Sequence, residues 1–166
     1  MLIIRQMQAA DLPAVVKLQD RCYSAELFEP ADLVKRRYLA FPQSCWVATY
    51  QDKLWGYLFC YPSLIGKVNP LAEDFTEVTQ ADCLYLHDMA VSSDARGQGV
   101  AQQLLAAAEQ QAQQLSLSAL TLVAVQNSAS YWQQRGFNPV LSLSPEAITN
   151  LASYSGQQAQ YLVKTW

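Results

Sequence analysis

The periodicity of this chain predicts a single domain, residues 1–166, of α+β or α/β class. Three observations carry that reading. Cys83 to Val91 is an apolar run rich in β-formers, as a buried strand is. Ser92 to Asp94 are turn formers, and Gly97 and Gly99 follow, where backbone turns sharply or approaches another group closely. Ala101, Leu104, Leu105, Ala108, Ala112 and Leu115 then recur at three- and four-residue spacing, which is one apolar helical face.

The other elements fall on either side of this strand, loop and helix. Leu2 to Met7 reads as a first strand. Asp11 is placed to cap a helix whose first turn admits Pro13, with Leu12, Val15, Val16, Leu18 and Cys22 on its apolar side. Pro30 opens a second short helix, its Leu33, Val34, Tyr38 and Leu39 inward and its Lys35-Arg36-Arg37 run read as solvated surface, with the wall of a binding cleft as the alternative. Ser44 to Tyr50 and Leu54 to Pro62 are strands joined by the short loop Gln51-Asp52-Lys53. Ser63 to Ala81 is irregular and long for a compact domain, a length that points to function. Ala119 to Gln126 is an apolar strand, and Asn127 or Ser128 starts a short helix closed by Gly136. Asn138 to Leu143 and Gln160 to Lys164 are closing strands, with a helical turn or loop from Pro145 between them.

Composition excludes several classes of function. A chain that is 51% hydrophobic and 15% charged folds into a globule. A net charge of −3 argues against a nucleic-acid partner, which needs a clustered basic surface. No apolar run is long enough to span a bilayer or to serve as a signal segment, so a soluble, cytoplasmic protein is expected. Cys22, Cys45, Cys60 and Cys83 lack CxxC spacing and read as reduced, buried thiols rather than metal ligands. Glutamines crowd the helix from Gln102 to Gln114 and read as polar surface.

A strand that feeds a helix through glycines leaves the first helical N–H groups unpaired, with the positive end of the helix dipole behind them. That is an anion site made of backbone. A dinucleotide fingerprint would require glycine where Gln102 stands, and no Gly-Lys-Ser/Thr of a P-loop is present. Arg96-Gly97-Gln98-Gly99-Val100-Ala101 instead resembles the acetyl-CoA motif of the GNAT superfamily of N-acetyltransferases, Gln/Arg-x-x-Gly-x-Gly/Ala. Leu86-His87-Asp88-Met89-Ala90-Val91 resembles the strand before that motif, and Tyr131-Trp132-Gln133-Gln134-Arg135-Gly136-Phe137 the family's later aromatic signature.

The resemblance implies the family's α+β fold, an α/β/α-like arrangement around a mixed central sheet. It also implies acetyl-CoA as co-substrate, no metal, and acetyl transfer to a primary amine by direct attack in a ternary complex. A small-molecule acceptor is expected, with room left for a homodimer and no membrane or nucleic-acid partner. A peptide amine, or a non-catalytic acyl-CoA-binding role, is the alternative. The cofactor set is then Met89, Val91, Arg96, Gly97, Gln98, Gly99, Val100, Ala101, Asn127 and Trp132. In it, the main-chain N–H groups of Arg96, Gly97, Gly99, Val100 and Ala101 take the pyrophosphate, and the Met89 and Val91 backbone pairs with the pantetheine arm. The long loop becomes an acceptor loop whose Glu73, Asp74 and Glu77 favour a cationic amine.

The candidate catalytic residues are His87, Tyr85 and Tyr131. His87, the chain's single histidine, has an ordinary pKa of about 6.5, suited to taking a proton from an amine. Regular alternation puts it on one face with Cys83, Tyr85 and Met89, and sends Asp88 to the other face as a structural residue. Tyr85 stands where an arylalkylamine branch of the family has a first histidine, which implies a hydrogen-bonding or water-positioning group, or the group that serves the departing thiolate if solvent does not protonate it. Many members carry a tyrosine as general acid where this chain has Trp132, whose indole donates a hydrogen bond but no proton at useful pH. Trp132 is therefore read as packing on the cofactor, and Tyr131 as a neighbouring site residue.

Overall fold

A computed structural model describes residues 1–23, 25–27, 29–154 and 156–166, with the side chain of Glu26 also left undescribed. Strands β1 (Leu2–Gln6), β2 (Cys45–Tyr50), β3 (Lys53–Ser63), β4 (Cys83–Val91), β5 (Ala119–Ala124), β6 (Asn138–Pro139) and β7 (Gln160–Thr165) form one sheet in the order β1-β2-β3-β4-β5-β7-β6. Only the β4–β5 pair is parallel; the rest are antiparallel. Helix α3 (Val100–Gln114) is the crossover between β4 and β5, and it packs on one face of the sheet through Val100, Leu104, Leu105 and Ala108. The opposite face is covered by α1 (Leu12–Cys22), α2 (Ala31–Ala40) and α5 (Pro145–Leu151). The result is the mixed-sheet, α/β/α-like architecture expected, with α4 (Ala129–Gln133) beside the sheet's open end.

Local chemistry explains most boundaries and a few departures. Gln51 and Asp52 both take positive φ, so β2 and β3 are joined by a two-residue turn of the twist that hairpins favour. Asp11 stands at the start of α1 but does not cap it. Its carboxylate instead takes two hydrogen bonds of 2.8 Å from Arg5 and one from the Gln8 N–H. Of the strand expected over 138–143, only Asn138 and Pro139 pair in register with β7, and one further bond follows, from the Val140 N–H to the Tyr161 carbonyl at 3.0 Å. Pro145 begins a true helix, capped by the Ser144 hydroxyl.

Two irregularities shape the site. β4 and β5 pair only from Cys83↔Ala119 to Leu86↔Leu122, so beyond Leu86 the two parallel strands separate. At the same point the β3–β4 register slips, since Phe59 faces Asp88 while Cys60 faces Leu86. His87 is thus the extra residue of a β-bulge. Regular alternation fails there. Asp88 lies opposite Phe59 on the α1 side, with Tyr85 and His87, whereas Met89 packs with the α3-side core.

Candidate active site

Three depressions meet at Met89, where β4 has parted from β5. A cavity of about 220 Å³ is walled by the bulge residues, by Leu122 and Val123 of β5, and by Tyr131 and Trp132 of α4. A groove of about 480 Å³ follows Arg96, Gly97, Gly99 and Val100 to Tyr131 and Arg135. A third, of about 300 Å³, is bordered by Arg21, Cys22, Tyr23 and Arg96.

The second groove ends on the amides of α3. Gly97 and Gly99 take φ of 79° and 74°, and Gly99 precedes the helix in the left-handed region that favours glycine. Among the described residues, the N–H groups of Gly97, Gly99, Val100, Ala101 and Gln102 have no backbone acceptor, and the first helical bond runs from Gln103 to Gly99. A Cβ built on Gly97 meets nothing within 4 Å, so that side of the loop is open. These residues fit a diphosphate. Two of the motif's positions do not supply an amide, however. The Arg96 N–H bonds the Ser93 carbonyl and the Gln98 N–H that of Ala95, because residues 93–95 form a turn of 3₁₀ helix. Gln102, unforeseen in this role, adds a free amide instead.

The Met89 and Val91 carbonyls, expected to face the pantetheine arm, each have a donor within the protein. Tyr23 Oη donates to Met89 at 2.8 Å and Cys22 Sγ approaches Val91 at 3.6 Å. Asn127 takes a positive φ of 58° next to α4 and borders none of the three depressions.

The first cavity holds the titratable groups. The Asp88 carboxylate accepts from Tyr57 Oη at 3.0 Å through Oδ2, while Oδ1 is buried without a partner among the described residues. Burial, then the charge of Glu29, push this carboxyl up to about 7, against the neighbouring Tyr23 and Tyr57 hydroxyls. Asp88, expected from sequence on the far face, borders the cavity instead. The bulge at His87 is the reason.

His87 also borders the cavity, with its side chain only 3% exposed. Its Nε2 lies 3.3 Å and 3.4 Å from the two oxygens of Glu29, and its Nδ1 is buried with no partner among the described residues. Burial first, and the Arg37 charge second, lower the imidazole's pKa; Glu29 pulls the other way without prevailing. Glu29 is itself paired with Arg37 Nη1 at 2.6 Å and accepts the Ala72 N–H. Burial opposes its ionisation, but His87 and Arg37 outweigh that and hold its carboxyl well below the usual range. Arg37 is 2% exposed, bonded to the Glu73 carbonyl and seated over Phe75, so that part of the basic run is core rather than surface.

Tyr85 is not in the cavity wall. It is fully buried beside Tyr61 and His87, its hydroxyl accepts the Asn69 N–H, and burial drives its pKa up. It braces the long loop. That loop does reach the cavity, but through Leu71; Asp74 pairs with Arg36 at the surface, and Glu73, Asp74 and Glu77 do not line the site. The acids that do are Glu29 and Asp88. Glu29 escaped the sequence reading because an isolated acid in a connector has no pattern to mark it.

Tyr131 borders both the cavity and the amide groove, its ring under the Arg135 guanidinium at 3.6 Å. Trp132 packs edge-on to Phe137 and against the α3-side core while bordering the cavity. The ends of the site thus differ in charge: Arg96 and Arg135 line the groove of the free amides, Arg21 the third depression, and Glu29 and Asp88 the cavity.

Residues 12–137 match the acetyltransferase (GNAT) family. The chain belongs to that family. A search of curated proteins found no match. Solved structures of GNAT fold superpose along the whole chain. The NatC complex bound to Gag peptide and CoA matches at TM-score 0.71 and 16% identity, covering 99% of this chain and 98% of that one. A GNAT-like decarboxylase, GphF, in complex with isobutyryl-CoA, matches at TM-score 0.74 and 14% identity over 98% of each chain. The ribosomal-protein-S18-alanine N-acetyltransferase of Escherichia coli matches at TM-score 0.66 and 16% identity, covering 99% and 94%. At these identities the likeness is one of fold. Among the described residues no cluster of His, Cys, Asp and Glu is arranged to hold a metal ion, and no helix is long and apolar enough to cross a membrane.

Proposed function

We propose that this GNAT protein is a cytoplasmic N-acetyltransferase that moves acetyl from acetyl-CoA to the primary amine of a small molecule, by direct attack in a ternary complex. The observation that supports it best is the polarity of the joined grooves: unpaired amides and arginines at one end, a buried carboxylate with an unpartnered oxygen at the other. Gly97, Gly99, Val100, Ala101 and Gln102 hold the diphosphate through their N–H groups. When bound, acetyl-CoA supplies an activated thioester whose leaving group is a thiolate. The separation of β4 from β5 beyond Leu86 makes room for that thioester beside Met89.

An amine arrives at neutral pH as ammonium and must lose a proton before it attacks. Asp88 takes that proton, being largely buried and ionised in part at neutral pH. His87 is a positioning residue. Donation from Nε2 to Glu29 leaves Nδ1 as an acceptor for a second N–H of the amine. Tyr131, at the junction of cavity and groove, gives its proton to the departing thiolate, a role its hydroxyl can fill and the Trp132 indole cannot. Trp132 packs beneath the thioester.

The test is release of free thiol from acetyl-CoA with a panel of amines, amino acids and N-terminal peptides. Amine-dependent release by the wild type, lost in Asp88→Asn, is expected. Binding of acetyl-CoA with no release for any acceptor would make the protein a binding module and overturn the proposal.

A further inference from the structure

Resting on that reading, we infer that the acceptor is an amine with an apolar body and no carboxylate. No Lys or Arg among the described residues lines the cavity that holds Asp88. The nearest buried cation, Arg37, is committed to Glu29 and to the Glu73 carbonyl and does not reach the cavity. The charged groups that do face it, Glu29 and Asp88, are acids; Arg21, Arg96 and Arg135 line the other two grooves.

An amino-acid acceptor would bring its carboxylate within a few bonds of its amine. With the amine at Asp88, that carboxylate would sit beside Asp88 and the Arg37-paired Glu29 with no cation in the wall to take it, among Leu27, Leu71, Leu122, Val123 and Tyr154 and the neutral Gln19, Gln126 and Ser128. An unpaired charge buried beside like charges is strongly disfavoured. Those same apolar residues suit a hydrocarbon body. A cavity of 150 Å³ is enough for benzene, so about 220 Å³ takes a ring or short alkyl chain with its amine arm. The ammonium needs one acid near it and finds Asp88.

The experiment compares 2-phenylethylamine, phenylalaninamide and phenylalanine, which share a body and differ in the group beside the amine. Each is titrated by calorimetry into the CoA complex and assayed for thiol release from acetyl-CoA. Expected is a kcat/KM for 2-phenylethylamine at least about a hundredfold above that for phenylalanine, with phenylalaninamide within about tenfold of the amine and the same order in binding. In Leu71→Arg, which offers a cation at the cavity wall, the gap for phenylalanine narrows. Equal use of phenylalanine and the amine would overturn the inference while leaving acetyl transfer intact. So would equal rejection of amide and acid, since size would then be the selector. Discrimination in binding with no thiol release would sustain the inference and sink the catalytic reading.

Discussion

Tyr57 and Asp88 are joined by a 3.0 Å hydrogen bond between adjacent strands, on a face that Asp88 reaches only because His87 is bulged. The phenol donates to the ionised carboxylate and so favours the anion. Removing it in Tyr57→Phe should raise the Asp88 pKa further. The acid limb of the kcat–pH profile is then displaced to higher pH, while a full loss of activity is not expected. A limb that stays in place would mean that Tyr57 does not act on Asp88.

Asp88 also makes a signed prediction about stability. Its carboxyl titrates at about 7 in the folded protein, above the ordinary carboxylate value of about 4. The folded state therefore holds this proton more tightly than the unfolded one. The contribution is present in full below the ordinary range and is lost as pH rises from about 4 through about 7. Asp88→Asn, neutral throughout, escapes that loss. It should melt above the wild type at pH 8, by an amount on the order of a few kcal/mol, with the difference shrinking toward pH 5. Thermal melts at the two pH values decide it.

The Glu29–Arg37 pair is closed off from water and ties α2 to the loop before β4 through Ala72 and Glu73. Arg37→Met leaves Glu29 as a buried charge with one cationic partner removed, and should cost about 3–5 kcal/mol in urea unfolding. Glu29→Gln, which keeps the shape and removes the charge, should in addition lower the Asp88 pKa, because Glu29 is one cause of its rise. A destabilisation of Arg37→Met within the range of surface substitutions, about 0.5 kcal/mol, would contradict this view of the pair.

Gly56 sets how closely α3 approaches the sheet. A Cβ there would lie 2.9 Å from Val100 Cγ1 and 3.1 Å from the Ala90 carbonyl oxygen. Gly56→Ala should push the helix start outward, cost about 1–3 kcal/mol, and raise the KM for acetyl-CoA more than that for the amine. An unchanged acetyl-CoA KM would separate the helix position from cofactor binding.

Sequence carried most of the fold and one end of the site. Ala101, Leu104, Leu105 and Ala108 marked the helix that covers the sheet, and Gly97 and Gly99 marked the turn with free amides, because periodicity and positive φ are local properties. The acceptor end depended on what is not local. Glu29, Arg37 and His87 come from three separate segments, and no spacing announces that they meet. The bulge reversed the expected sides of Asp88 and Met89, and nothing in Leu86-His87-Asp88-Met89 reveals it without the partner strand. Tyr85 looked like a site residue for the same reason, since a buried hydroxyl bonded to Asn69 reads no differently from one facing a cavity.

The pH dependence of kcat for wild type and Asp88→Asn, followed by thiol release under saturating acetyl-CoA, tests the mechanism most directly. Removal of a general base is worth about 10²–10⁴ in rate. The wild type should gain activity through an apparent pKa near 7, and Asp88→Asn should fall by about that factor and lose the limb. A variant that retains both the rate and the limb would contradict the assignment of Asp88 as the group that takes the amine's proton.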